Sequence, residues 1–416
     1  MRSATILIAL ASIALANDWP QWRGPGRDGL SRETGLISAW PKEGPKMLWR
    51  IEGLGDGYGA PAVAGGRLYV VGNKGMQDES VHAVSVEDGK TIWSTRLGNV
   101  GNPDQAPSYP SARSTPIVDG NLLYAFSSDG DLVCMESASG KVRWRKNVRK
   151  ELGGEPGKWA YAESPLIDGN NVVVSPGGAQ ATMAAFNKKN GEVVWKSSIP
   201  GGEAAGYASI VPATAGGKKQ YVQFLSKGTV GVDAKTGQFL WRYDETSKGP
   251  ANIPTPISRD GYIYSTARSI GAAALLRIEP SGETAAAKQV YLERGLPSTI
   301  GGAVAVGDYL YGTTNDGLVA AEFLTGKLRW KEDSLGAGSV LFADGNLYVH
   351  AEDGDIALAE ATPEAFRQKG RFTPPGKPEH PRGAREKAWA YPVVANGRLY
   401  VRDLGVMWCY DVRASR

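Results

Sequence analysis

Along residues 114–148 (STPIVDGNLLYAFSSDGDLVCMESASGKVRWRKNV), short apolar runs alternate with polar turn clusters. The runs are 115–118, 122–126 and 132–135, parted by Asp119-Gly120-Asn121 and Ser128-Asp129-Gly130; Ser139-Gly140-Lys141 then leads into Val142-Arg143-Trp144. Asp-Gly and Ser-Gly pairs reach the positive φ of tight hairpin turns, and apolar or β-branched runs between them read as strands. The stretch therefore predicts a four-stranded meander. Such a unit cannot bury both faces alone.

The remainder of the chain repeats it. First strands are Pro61-Ala62-Val63, Pro116-Ile117-Val118, Pro165-Leu166-Ile167, Val211-Pro212-Ala213, Pro256-Ile257, Gly302-Ala303-Val304, Ser339-Val340-Leu341 and Pro392-Val393-Val394. Aromatic second strands follow, such as Leu122-Leu123-Tyr124 and Arg398-Leu399-Tyr400, and closing strands run from a glycine turn to Trp93, Trp144, Trp195, Trp241 or Trp330. A period of roughly 45–50 residues signals a propeller or a solenoid. The eighth copy stops after residues 407–412 without its closing strand, while an orphan closing strand, Lys46-Met47-Leu48-Trp49-Arg50, precedes the first copy. A ring uses that split and a linear array does not, because closure removes exposed sheet edges. The expectation is an all-β, eight-bladed β-propeller of four-stranded antiparallel blades, closed by an N-terminal strand.

Composition narrows this picture. The 54 glycines and 25 prolines among 416 residues supply frequent turns, and 42% apolar residues supply a core. A formal charge of +4, with no basic stripe carrying interleaved aromatics, excludes nucleic acid as a partner. Residues 1–16 read as a signal peptide: Arg2, an apolar stretch over 6–13, and Ala14-Leu15-Ala16 before Asn17. That stretch is shorter than the ~20 residues a membrane span needs, and no cysteine follows the cleavage point. The organisation expected is a signal peptide (1–16), an extended arm held by Trp19 and Trp22 (17–45), and a propeller (46–416). The mature chain is expected to be a periplasmic or secreted monomer with no membrane span.

The six closing-strand tryptophans, Trp49, Trp93, Trp144, Trp195, Trp241 and Trp330, are read as structural groups that lock neighbouring blades. A buried indole hides about 150–250 Å². Cys134 and Cys409 occupy the position held elsewhere by Ala83, Ala185, Gly231 and Ala320, so they read as small hydrophobes rather than as a disulfide. Residues 98–113, 149–163 and the basic, proline-rich 362–389 read as loop insertions.

The closing pattern Val232-Asp233-Ala234-Lys235-Thr236-Gly237-Gln238-Phe239-Leu240-Trp241 resembles the tryptophan-docking repeat of the pyrroloquinoline-quinone (PQQ) propeller superfamily. That superfamily holds quinoprotein alcohol dehydrogenases and the non-catalytic BamB lipoprotein of β-barrel assembly. Asp18-Trp19-Pro20-Gln21-Trp22-Arg23-Gly24-Pro25 with Arg27-Asp28-Gly29 resembles the arm of exported bacterial members. The resemblance implies either a non-catalytic binding or scaffold module of the cell envelope, or a dehydrogenase using PQQ and Ca²⁺. The adjacent cysteine pair of familiar dehydrogenases is missing, which favours the first.

Other chemistry finds no support. His82, His350 and His380 lack metal-ligand spacing. Ser128-Asp129-Gly130-Asp131 and Asp353-Gly354-Asp355 fall at hairpin turns, and no nucleophile motif occurs. Propeller geometry gathers the loops leading into first strands at one channel mouth. There the sequence offers Tyr58, Arg113, Trp159, Tyr161, Glu163, Tyr207, Asn252, Arg268, Asn315 and Trp389 as candidate ligand-binding residues, with Arg113, Glu163 and Arg268 as the charged members facing the channel. An envelope protein or a small ligand is the expected occupant. No catalytic or metal-binding residue is assigned.

Overall fold

The computed structural model describes residues 17–75, 77–101, 112–249, 251–378 and 387–414. The reading of 1–16 as a signal peptide, His380, and parts of the 98–113 and 362–389 insertions lie outside them.

Eight four-stranded antiparallel sheets form a propeller ring. Blades 1–7 take residues 62–99, 117–147, 166–197, 211–243, 257–294, 303–332 and 338–372; blade 8 takes 393–411. Blade 8 is completed by Lys46–Ile51, whose strand pairs with Val406–Asp411 and sets Trp49 opposite Cys409. The same pairing recurs around the ring. Trp93 faces Ala83, Trp144 faces Cys134, Trp195 faces Ala185, Trp241 faces Gly231 and Trp330 faces Ala320. A small third-strand residue leaves room for the indole, and the register slips by one beside each such pair, which sharpens the local twist. Both cysteines are buried, unbonded thiols, as their place in the repeat implies.

The indoles reach across to the next blade through its turn glycine. Trp49, Trp93 and Trp144 donate Nε1 protons to the carbonyls of Val86 (2.9 Å), Ser137 (3.1 Å) and Lys188 (3.0 Å). A Cβ at Gly191 would lie 2.8 Å from the Trp144 ring, so only glycine admits the contact. Trp330 repeats it on the Thr362 carbonyl (2.8 Å). Trp241 departs from the expected inter-blade bond. Blade 5 replaces the glycine turn with a long hairpin, Ala272–Ser281 against Thr284–Arg294, and the Trp241 Nε1 turns to Gln220 of its own blade at 2.5 Å.

Two loop expectations are corrected. Within 362–389, Gln368–Phe372 is the outer strand of blade 7. It hides from the pattern because Gly370, opposite Leu358, stands where other blades carry tryptophan. The arm supplies the missing ring. The Cβ that Gly370 lacks would meet Trp40 at 2.6 Å, and the Trp40 indole packs edge-on against Phe372 and Tyr348, each at 5.6 Å. Within 149–163, Val148–Leu152 forms a helical turn, its Asn147 cap accepting from the Lys150 amide.

Removing a buried tryptophan ring from such a site costs about 3–5 kcal/mol. Trp40→Ala is expected to lower the unfolding free energy by that amount in a denaturant titration. A change under about 0.5 kcal/mol would mean that the arm does not complete blade 7.

Candidate functional site

The arm fills the centre of the ring. Residues 21–29 fold into tight turns, with amides of Gly24, Arg27 and Gly29 each donating at 3.0 Å to carbonyls of Gln21, Gly24 and Arg23. Arg23 and Arg27 take positive φ (57° and 55°), unusual for side-chain-bearing residues, and Gly24 cannot carry a Cβ without striking the Trp19 ring. These turns aim both guanidinium groups at the innermost strands. Arg27 donates to the carbonyls of Ile210 (2.9 Å), Pro165 (2.9 Å) and Ser164 (3.0 Å). Arg23 donates to the carbonyls of Asp28 (2.7 Å) and Ala303. Burial pushes Arg27 down to about 9, with the nearby Glu163 carboxylate acting in the opposite sense. Both guanidiniums lie against the Trp22 ring, at 5.5 and 5.6 Å from its centroid.

Above the arm, at the channel mouth, lies a cavity of about 240 Å³. Trp22 lines it from the arm, with Tyr58, Trp159, Tyr207, Trp389 and Tyr391 from the loops leading into first strands. Arg113 is the one charged side chain lining it among the described residues. The rings brace one another: Tyr58 lies 5.0 Å from Trp389, Trp159 meets Tyr207 edge-on at 5.8 Å, and Trp22 meets Tyr391 likewise at 5.8 Å. The Trp159 amide donates to the Tyr207 hydroxyl (3.1 Å), and the Arg113 guanidinium donates to the Trp159 carbonyl. Burial lowers the Arg113 pKa, with Tyr58, Tyr207 and Glu79 opposing the shift.

A relay of hydroxyls fixes these loops relative to one another. The Thr115 hydroxyl donates to the Ala60 carbonyl (2.8 Å), the Thr115 amide to the Ser164 hydroxyl (2.8 Å), the Ser164 amide to the Ser209 hydroxyl (2.9 Å), and the Ser209 amide to the Thr255 hydroxyl (2.9 Å). Five blades are thus tied edge to edge immediately below the cavity. The signal in the sequence is a Ser or Thr before the first-strand proline, at 115, 164 and 255.

Of the ten candidate residues, Tyr58, Arg113, Trp159, Tyr207 and Trp389 line the cavity. Arg268 and Asn315 stand at its rim and act on Trp389 indirectly. Arg268 bonds Asn315 (2.8 Å) and Glu352 (2.6 Å), and Glu352 accepts from Lys387 (2.7 Å) and from the Trp389 indole (3.0 Å). Burial raises the Glu352 carboxyl, but the hydrogen bonds from Arg268 and Lys387 outweigh it and hold the pKa below its ordinary value. Three expectations are corrected. The Tyr161 hydroxyl donates to the Pro176 carbonyl (2.6 Å) inside the blade 2–3 core, and Asn252 donates to the Leu225 carbonyl (2.7 Å). Glu163 is 2% exposed and accepts from the Ser175 amide and from Gln223 (2.9 Å). A sequence offers no means of telling a polar residue facing the channel from one turned back into its own blade.

The aspartates at the hairpin turns are held by arginines. Asp129 pairs with Arg149 (2.7 Å), Asp131 with Arg145 (3.6 Å) and Asp355 with Arg371 (2.8 Å). His82 and His350 sit apart, against Ser94 (2.8 Å) and the Ala390 carbonyl (2.9 Å). No group of three or more His, Cys, Asp or Glu side chains able to hold a metal occurs among the described residues.

Fold and cavity together define a ring-closed, plugged propeller with an aromatic mouth. A family profile described as outer membrane protein assembly factor BamB matches residues 29–155 and 77–278, and the chain belongs to this family of PQQ-like propellers. Outer membrane protein assembly factor BamB of Salmonella typhimurium strain LT2 is 25% identical over 142 residues, covering 34% of this chain and 32% of that protein. The chain thus spans about a third of that relative's length. Among solved structures, BamB from Moraxella catarrhalis superposes with a TM-score of 0.60 at 17% identity, covering 89% of this chain and 98% of that one. Quinohemoprotein alcohol dehydrogenase from Comamonas testosteroni gives 0.65 at 12% identity, covering 96% and 81%. Both likenesses are of fold.

The side chains present do not fit a PQQ–Ca²⁺ pair. Calcium takes six to eight oxygen ligands, carboxylates foremost, and the cavity lining contributes hydroxyls but no carboxylate. The quinone brings three carboxylates of its own, against one lining guanidinium.

Burial pushes the Glu163 carboxyl up to about 7, against its hydrogen bonds and the Arg27 charge. The folded chain keeps that proton to about pH 7, whereas the unfolded chain releases it near 4.5, so stability falls as pH rises across this window. Relative to the parent, Glu163→Gln is expected to gain roughly 2–3 kcal/mol between pH 5 and pH 8. Denaturant titrations at both pH values check it, and a pH-independent difference would contradict it.

Proposed function

We propose that this chain is an exported, non-catalytic binding propeller of the cell envelope, which acts as a monomer and engages an envelope protein or a small ligand at its cavity face. The observation that carries this reading is the chemistry of the lining: six aromatic rings and one guanidinium, with no carboxylate to serve as base and no metal-ligating group. The lining hydroxyl of Ser209 is already engaged by the Ser164 amide. Polar-tipped aromatics beside an arginine are the residue types that dominate binding surfaces. Membership of a family described by an outer-membrane assembly factor supports the envelope placement, as does the leader-like composition of residues 1–16. Among the described residues no helix is long and apolar enough to cross a membrane.

The purified protein, supplied with PQQ and Ca²⁺, is expected to show no dye-linked oxidation of alcohols. Saturable cofactor binding with turnover would overturn the reading in favour of an oxidoreductase. Capture from envelope extract checks the positive half: a partner retained by the parent is expected to be lost with the Trp159→Ala, Trp389→Ala double variant.

A further inference from the structure

We infer that the channel-mouth cavity takes a small, planar aromatic monoanion, an aryl monocarboxylate, with the Arg113 guanidinium as its carboxylate partner and Trp22 as the surface on which its ring stacks. This rests on the binding reading above and specifies the ligand class of the same cavity.

Size comes first. A volume of about 240 Å³ lies below the roughly 300–1,000 Å³ typical of drug-sized ligands, which leaves room for one or two fused rings. The walls then select shape. Six aromatic side chains offer faces and edges to a flat ring, and their mutual contacts at 5.0–5.8 Å hold them ready before any ligand arrives. Trp389 is further fixed by Glu352, itself clamped by Arg268 and Lys387. Little ordering cost remains at binding.

Charge decides between an anion and a cation. Aromatic cages often bind quaternary ammonium groups, because ring faces carry negative potential. Here that preference is reversed. Arg23 and Arg27 lie against the Trp22 ring and draw on its negative potential, and neither lines the cavity. Arg113 adds a positive charge inside it, and no lining carboxylate offsets it. Its nearest acidic neighbour is Glu79, which is fully buried, bonded to Ser128 and pushed up to about 7, so it is only partly ionised near neutral pH. The bond from Arg113 to the Trp159 carbonyl fixes the guanidinium plane. A planar fork held this way matches a carboxylate. One cation matches one negative charge, which separates this ligand from a polycarboxylate.

The test is calorimetric titration of the full mature chain with three probes of one shape: 2-naphthoate, the neutral 2-naphthalenemethanol, and a naphthyl trimethylammonium cation. Naphthoate is expected to bind at a single site, at least about tenfold tighter than the alcohol, and the cation is expected not to bind. Arg113→Gln should bring naphthoate down to the affinity of the alcohol, while Arg113→Lys keeps part of the difference; melting curves confirm that both variants fold. Absence of saturable naphthoate binding, equal affinity for the alcohol, tighter binding of the cation, or an unaltered Arg113→Gln titration would each overturn the inference. The broader binding reading fails on a different result, namely PQQ-dependent turnover.

Discussion

A ring of blades creates a problem at its own axis: the innermost strand of every sheet is an edge strand, and its outward-turned N–H and C=O groups face a channel too narrow for bulk water. Buried backbone groups left without partners are costly. In this chain the arm resolves it. Trp19 exchanges hydrogen bonds with Val63 of blade 1, the Pro20 carbonyl accepts from Val118 of blade 2, and Arg27 reaches blades 3 and 4. Arg23 reaches blade 6, the Gly29 and Ser31 backbone pairs with Phe342 of blade 7, and the Ser31 hydroxyl donates to Val394 of blade 8. One peptide segment therefore contacts seven of the eight blades, and Trp22, carried on it, becomes part of the cavity lining.

Ring closure and the plug are distinct devices that reinforce one another. Closure sets Trp49 against Cys409 and stitches the last sheet to the first strand of the chain. The seam is bridged again by Arg402 of blade 8, whose guanidinium donates to carbonyls of Gly59 (2.9 Å) and Val71 (2.8 Å) on the blade 1 side. Burial pushes that arginine down to about 10. Three buried arginines, Arg23, Arg27 and Arg402, thus hold backbone carbonyls rather than carboxylates. The aromatic mouth is accordingly an electropositive place, bordered by Glu79 and Glu163, whose carboxyls burial pushes up to about 7.

The parts of this design that were legible in the sequence are those governed by one blade or by the repeat. The alternation of strands and turns, the small residue opposite each tryptophan and the displaced closing strand all follow from periodic patterning. Blade 7 escaped because its volumes are inverted, with Leu358 large and Gly370 small, and the compensating ring comes from Trp40 more than 300 residues away. Blade 5 escaped because Tyr291 replaces tryptophan, bonding the Phe323 carbonyl at 2.9 Å. At the mouth, composition singled out the right loops, yet Tyr161, Glu163 and Asn252 turn into their blades while Trp22 and Tyr391 arrive from unexpected directions. Arg23 and Arg27 read as surface turn residues because their partners are carbonyls, and carbonyls leave no mark on a sequence.

The most direct measurement of the central claim is hydrogen exchange of the intact chain, resolved over residues 17–31. If the arm plugs the channel, amides of Trp19, Gly24, Arg27, Gly29 and Ser31 exchange as slowly as those of the innermost strands they touch. Exchange of this segment at the rate of an unstructured peptide, with the blades still protected, would contradict the account.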